Sequence, residues 1–158
     1  MTQEDVLFQS EQPDIASEEN VVLQTEKYLL FLSNDLLFGV PAEAVVEIIT
    51  GHTITSLPLV PSYIRGIINL RGQIIPIVDI RRLLDQGSCE SNCIIILQSD
   101  GTEVGILVDE VQKMVDIDVS TLLPVPPQRS KDLVCGMCSL EDGQTMLAFD
   151  CVRLLEHT

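Results

Sequence analysis

Ile64-Arg65-Gly66-Ile67-Ile68-Asn69-Leu70-Arg71-Gly72-Gln73-Ile74-Ile75-Pro76-Ile77-Val78-Asp79-Ile80-Arg81-Arg82-Leu83-Leu84 is the stretch on which the fold of this chain turns. Two apolar, β-branched runs flank the tip Asn69-Leu70-Arg71-Gly72, the pattern of a β-hairpin. Gly72 takes positive φ without a steric penalty, so the tip predicts a tight turn that holds Arg71 up to solvent. The second run ends at Asp79, and Arg81 to Leu84 reads as a short helix. Asp79 is placed to cap it by accepting backbone N–H bonds that otherwise go unpaired. On residue chemistry alone this is a core hairpin carrying a solvated arginine.

Outward from the hairpin, Tyr28–Leu32 and Leu36–Val40 read as strands around the turn Ser33-Asn34-Asp35. Pro41 is suited to a first helical turn, which predicts a short helix from Ala42 to Ile49. Val45, Ile48 and Ile49 would then share one face, with Glu43 and Glu47 towards solvent. Leu57-Pro58-Leu59-Val60-Pro61 is a loop, because neither proline can donate to a central ladder. Residues 85–93 form a polar connector. Beyond it the chain repeats itself. A slide of 66 residues sets Tyr28-Leu-Leu-Phe31 on Ile94-Ile-Ile-Leu97, Phe38-Gly39-Val40 on Val104-Gly105-Ile106, and the predicted helix 41–49 on 107–115. With a slightly larger offset, Gly66–Leu70 meets Gly136–Leu140, and Val78–Leu84 meets Phe149–Leu155. Two half-repeats, 27–84 and 94–155, imply two small β-barrels in tandem, each closing its edges by curvature. Whether the barrels trade strands is open at this point. The repeat is imperfect in its charges: Arg71 at the first tip faces Glu141-Asp142 at the second, and Glu47 is matched by Lys113. Drift at exposed positions and specialised faces both account for that.

A chain of 158 residues with net charge −15 and an aliphatic core fits one domain or two very small ones sharing a core. Its acidity argues against nucleic acid and anionic membrane surfaces as partners. Residues 1–26 hold seven acidic side chains and no Lys or Arg, a composition that predicts a flexible tail. The start lacks the basic and apolar regions of a secretion signal, and no apolar run is long enough to insert into a bilayer, so a cytoplasmic protein is expected. The five cysteines are expected to be reduced, buried small hydrophobes. Cys135 and Cys138 form a CxxC, the one weak candidate for a metal or redox site. It lies in an expected strand, where positions three apart face opposite sides. His52 and His157 sit in no nucleophile–base pattern, and no phosphate or dinucleotide loop is present. No catalytic residues and no cofactor are therefore assigned, and a non-enzymatic protein is expected.

Gly66-Ile-Ile-Asn-Leu-Arg-Gly-Gln-Ile-Ile-Pro-Ile-Val-Asp-Ile80 strongly resembles the signature of the CheW family, the scaffold proteins of bacterial chemotaxis arrays. The resemblance runs from about residue 27 to 156 and takes in Phe38-Gly39-Val40, Val45-Val46-Glu47-Ile48, Leu57-Pro58 and Val104–Val111. It implies a CheW-like domain over 27–156: mainly β, with two five-stranded SH3-like β-barrels packed about a shared core, and short helices. It further implies an adaptor between the cytoplasmic tip of a chemoreceptor, a methyl-accepting chemotaxis protein, and the regulatory domain of a CheA-type histidine kinase. Such a protein would be cytoplasmic and held in receptor arrays. Matched position by position, Arg71, Glu47, Val45, Gly66, Asn69 and Leu70 are the implied partner-binding residues. A hydrophobic groove between the barrels would take a receptor helix. Arg71 could offer a fork of donors to the partner, or pair internally with Glu47 to order the groove. The resemblance leaves open a flagellar or a parallel system, such as surface motility or biofilm signalling. A cysteine-based metal- or redox-responsive protein is the alternative of another class.

Overall fold

Short β-branched blocks separated by Gly, Pro, Asn and Asp give strands that turn back on one another every few residues. The computed structural model describes residues 24–125, 133–151 and 153–154. The first half holds β1 (Thr25–Ser33), β2 (Leu36–Pro41), β3 (Val45–Thr50), β4 (Ile64–Leu70), β5 (Gln73–Asp79) and the single-turn helix α1 (Ile80–Leu83). The second holds β6 (Cys93–Ser99), β7 (Thr102–Val108), β8 (Glu110–Asp118), β9 (Val134–Ser139) and β10 (Thr145–Phe149). They form two five-stranded sheets, the first in the order β8-β1-β2-β10-β9 and the second in the order β3-β6-β7-β5-β4. Exchanging each strand for its counterpart five places along converts one order into the other. Each sheet therefore takes its opening hairpin from one half and its other three strands from the other half.

The two sheets agree in register as well as in order. Ile48 faces Ile95 and Ile49 faces Ile94 across β3 and β6. Sixty-six residues on, Met114 faces Leu29 and Val115 faces Tyr28 across β8 and β1. The parallel contacts match too: Ile77 with Gly105, and Ala148 with Gly39. Both glycines are sites of close approach, since a Cβ on Gly105 would meet Ile77 Cδ1 at 2.6 Å and one on Gly39 would lie against Met146. The connecting loops also bridge equivalently, Thr55 to Ile67 and Leu123 to Met137.

Three apolar cores follow from this plan. One face of each sheet packs on the other sheet, uniting Leu29, Phe31, Phe38 and Val40 with Ile95, Leu97, Val104 and Ile106. At its centre Phe31 stacks on Phe38 at 5.5 Å, and Phe149 meets both edge-on at 6.2 Å. The opposite face of each sheet gathers a core of its own: Ile49, Ile68, Ile75, Ile77, Ile94 and Ile96 in the second, Tyr28, Leu30, Leu37, Ile117, Cys138 and Met146 in the first. Both edge strands of each sheet contribute to that core, so each sheet curls around it. The expected barrels are not closed, however: among the described residues β3 does not pair with β4, nor β8 with β9, and beyond their bridges to Thr55 and Leu123 the end strands stay edges.

The expected helix Ala42–Ile49 is overturned. Ala42–Ala44 is one 3-10 turn, and Val45–Thr50 is strand β3. Its counterpart in the second half, 107–115, is the end of β7 followed by β8. Four β-branched residues among Val45, Val46, Ile48 and Ile49 favour the pleated conformation, and helical spacing over so short a run is ambiguous. The expected tail boundary also moves, because Thr25 and Glu26 already pair with Asp118 and Ile117 in the ladder. Residues 1–23 lie outside the described residues. The turn residues, the loop 57–61 and the helix after Asp79 fall where the sequence places them.

Two carboxylates tie the elements together. Asp79 is fully buried and accepts from the backbone N–H groups of Arg81, Arg82 and Cys89 and from the Arg65 guanidinium. Full pairing is what makes a buried carboxylate tolerable. Asp109, between β7 and β8, accepts a bidentate bond from Arg81, the N–H of Asn34 and the thiol of Cys89. Its partial burial favours the neutral acid, but those hydrogen bonds outweigh it and hold the carboxyl below the usual range. A depressed folded-state value means that the ionised form stabilises the fold above the ordinary carboxylate range and that this contribution is lost as pH falls through the lowered value. Asp109→Asn should therefore lower stability at neutral pH and flatten the acid limb of a stability–pH profile. Gly66 supplies a second check: at φ +147, a Cβ there would collide with the Thr55 carbonyl, whereas one on Gly136 would be 3.2 Å from the Leu123 carbonyl oxygen. Gly66→Ala should cost about 3 kcal/mol in urea unfolding and Gly136→Ala under about 1 kcal/mol.

Candidate partner-binding site

The β4–β5 hairpin turns through Arg71 and Gly72 alone, with φ of 52° and 84°. Positive φ at both central residues is the geometry whose twist suits a two-residue hairpin loop. Asn69 Oδ1 accepts from Gly72 N at 3.1 Å and braces the turn. Glycine meets the conformation freely, but arginine does not: left-handed backbone costs an ordinary residue roughly 1 kcal/mol. Asn would be the less strained choice. An arginine kept in this conformation at a tip is explained by its side chain rather than its backbone.

That side chain crosses the mouth of the second sheet. Arg71 Nη2 donates to Glu47 Oε1 at 2.5 Å, with Arg71 68% exposed and Glu47 26%. Glu47 is on β3, at the edge of the sheet opposite the hairpin. A β-bulge between Val45 and Glu47 aims it. Val45 packs towards the shared core, while beyond the bulge Glu47 joins the face of Ile49, which lines the sheet's own core. The ion pair thus links two edges that no backbone bond joins.

The implied site residues are not all brought together. Glu47 and Arg71 are in direct contact and Asn69 shapes their turn. Leu70 packs on the second sheet's core and anchors the tip. Val45 is turned inwards, and Gly66 lies under the Thr55 carbonyl near the far end of β4, where its small size has a packing cause. Two residues outside the implied set are exposed on β3, Val46 at 40% and Ile48 at 42%, on the strand face opposite that of Glu47 and Ile49. Read as a helix the segment hid Ile48; read as a strand its alternation would have shown both.

Cys135 and Cys138 are on β9, one exposed and one buried, so the strand turns them to opposite faces. Burial pushes up the thiols of Cys89, Cys93, Cys135 and Cys138, and that of Cys151 to about 12. Such thiols are poor nucleophiles near neutral pH. Among the described residues no helix is long and apolar enough to cross a membrane.

Two curled sheets with exchanged hairpins, and a charged latch at one mouth, define a β scaffold whose distinctive groups are on its surface. The CheW-like domain model matches residues 27–158, and the chain belongs to the family of CheW-like domains. It is similar to the protein FrzA of Myxococcus xanthus, 32% identical over 64% of this chain and 65% of FrzA. The chemotaxis protein CheW of Bacillus subtilis is 32% identical over 68% of this chain and 70% of its own length. For CheW of Klebsiella aerogenes the figures are 32%, 64% and 63%, so the match spans just under two thirds of that relative and of FrzA. The crystal structure of the scaffolding protein TtCheW from Thermoanaerobacter tengcongensis superposes with a TM-score of 0.73 at 31% identity, covering 79% of this chain and 88% of that one.

An exposed ion pair contributes at most about 1 kcal/mol, and removing strain at the tip offsets part of that. Arg71→Asn should accordingly leave the unfolding midpoint within a degree or two of the parent, measured by circular dichroism. A large loss would mean that Arg71 is there for the fold.

Proposed function

We propose that this chain is a non-enzymatic adaptor that couples the cytoplasmic tips of chemoreceptors to the regulatory domain of a CheA-type histidine kinase. On this reading it is a cytoplasmic protein recruited to membrane-anchored receptor arrays. Family membership supports the class of function. The observation that carries the site is Arg71: a guanidinium 68% exposed, held at a strained hairpin tip and only partly used by Glu47. Its planar fork has donors left over for a carboxylate or helix-end carbonyls of a receptor tip. Val46 and Ile48, exposed on the face of β3 turned away from Glu47, offer the partner a separate apolar strip along the same edge strand. Glu47 orients the guanidinium, so the two roles open for Arg71, internal partner and external donor, are compatible. Asn69 and Leu70 hold the turn that presents it. Val45 and Gly66 act on this surface only through the positions of β3 and β4.

Similarity to FrzA favours a second reading within the same class, an adaptor in a chemosensory system other than a flagellar one. Reconstitution with candidate receptors and kinases separates the two, by which kinase gains receptor-dependent autophosphorylation. For the site, Arg71→Glu should reduce receptor pull-down at least tenfold while the circular-dichroism melt stays nearly unchanged. Normal receptor binding by that variant would remove Arg71 from the interface.

A further inference from the structure

The two sheets have equivalent mouths, and only one is latched. In the second sheet the gap between β3 and the β4–β5 tip is crossed by Glu47 and Arg71. In the first sheet the same gap lies between β8 and the β9–β10 tip, where the register sets Lys113 against Glu47 and where Glu141 and Asp142 replace Arg71. The second tip is also one residue longer, turning through Glu141, Asp142 and Gly143. Among the described residues no ion pair joins Lys113 to that tip. The mouth stays open as a groove of about 600 Å³ leading towards the first sheet's core. Val115 and Leu140 form half-buried walls, with Ile117 and Cys138 behind them.

The charge around this apolar floor is one-sided. Four carboxylates and one ammonium line the groove. Asp116 is paired to Lys27 at 3.1 Å, and Asp118 is engaged by the N–H and hydroxyl of Ser120. Among the described residues Asp142 accepts only from Gln144 N, and Glu141 and Asp142 are both exposed at the lip. We propose that this groove docks an amphipathic segment of a partner protein, its apolar side chains entering between Val115 and Leu140 and its Lys or Arg residues pairing with Glu141 and Asp142. The assignment builds on the adaptor reading by giving the chain a second surface, opposite in charge to the Arg71 site, so that two partners of different chemistry bind without competing. Apolar insertion supplies affinity and the charged lip supplies selectivity and approach.

The test uses the full chain and a synthetic amphipathic helical peptide of leucine and lysine, with its leucine–glutamate counterpart as control. Amide resonances mapped by NMR should shift at 113–118 and 138–142 with the lysine peptide and stay in place with the glutamate peptide. Glu141→Lys combined with Asp142→Asn should weaken lysine-peptide binding about tenfold or more. Glu90→Lys combined with Glu103→Gln changes the net charge equally on other surfaces and should weaken it less than about twofold. Equal weakening by both pairs, or shifts spread over the whole surface, would overturn the groove in favour of bulk charge. Loss of concentration-dependent self-association in the first variant would overturn it in favour of a second copy as occupant. No receptor or kinase enters the titration, and Arg71→Glu should bind the lysine peptide like the parent, so failure here is distinct from failure of the adaptor reading.

Discussion

Neither half of this chain can complete a sheet from its own strands. The β1–β2 hairpin is flanked by β8 and β10, and the β6–β7 hairpin by β3 and β5, with parallel pairing at β2–β10 and β5–β7. Parallel neighbours need long connections, so these ladders form only when distant segments meet. The exchange also places Phe31, Phe38 and Phe149, which come from both halves, in one cluster. Cooperativity between halves is thus built into the hydrogen bonding as well as the packing. Half-buried charges work across the same junction: Asp109 of the second half holds Asn34 and Arg81 of the first.

With the interior committed to holding two halves together, chemistry is left to the rims. Each sheet has two faces to bury, one against its neighbour and one within its own curl, and both gather apolar side chains. What differs between halves is at the mouths, where side chains meet solvent and the fold does not dictate them. There the first half sets a latched arginine and the second an open groove with an acidic lip. A scaffold that keeps one architecture while varying its rims presents two unlike surfaces in fixed relation, which is the geometry an adaptor needs.

The hairpin, its capped helix and the internal repeat were legible in the sequence because each is written locally: alternating or continuous β-branched runs, a Gly at the turn, an Asp one residue before a helix. Segment 42–49 reads as a helix because its four β-branched residues in eight fit both periods, and the bulge at Val45–Glu47 breaks the alternation that would decide. The arginine of the site was visible as an oddity once the halves were compared. Its contact with Glu47 was only one of two options, since residues 24 apart on opposite edges meet only if the sheet curls. A helix over this segment turns Ile48 to the buried face, whereas the strand exposes it.

By itself the sequence determined the β class, the duplicated plan, the turn that lifts Arg71 and the cap at Asp79, because propensity, turn chemistry and hydrophobic spacing act within a few residues. Tertiary structure alone decided that the halves exchange hairpins, that the curled sheets stay open instead of closing into barrels, and that one mouth is latched while the other gapes. Those outcomes depend on pairings between strands far apart in the chain and on which edges come within reach of a side chain, and no local pattern encodes either.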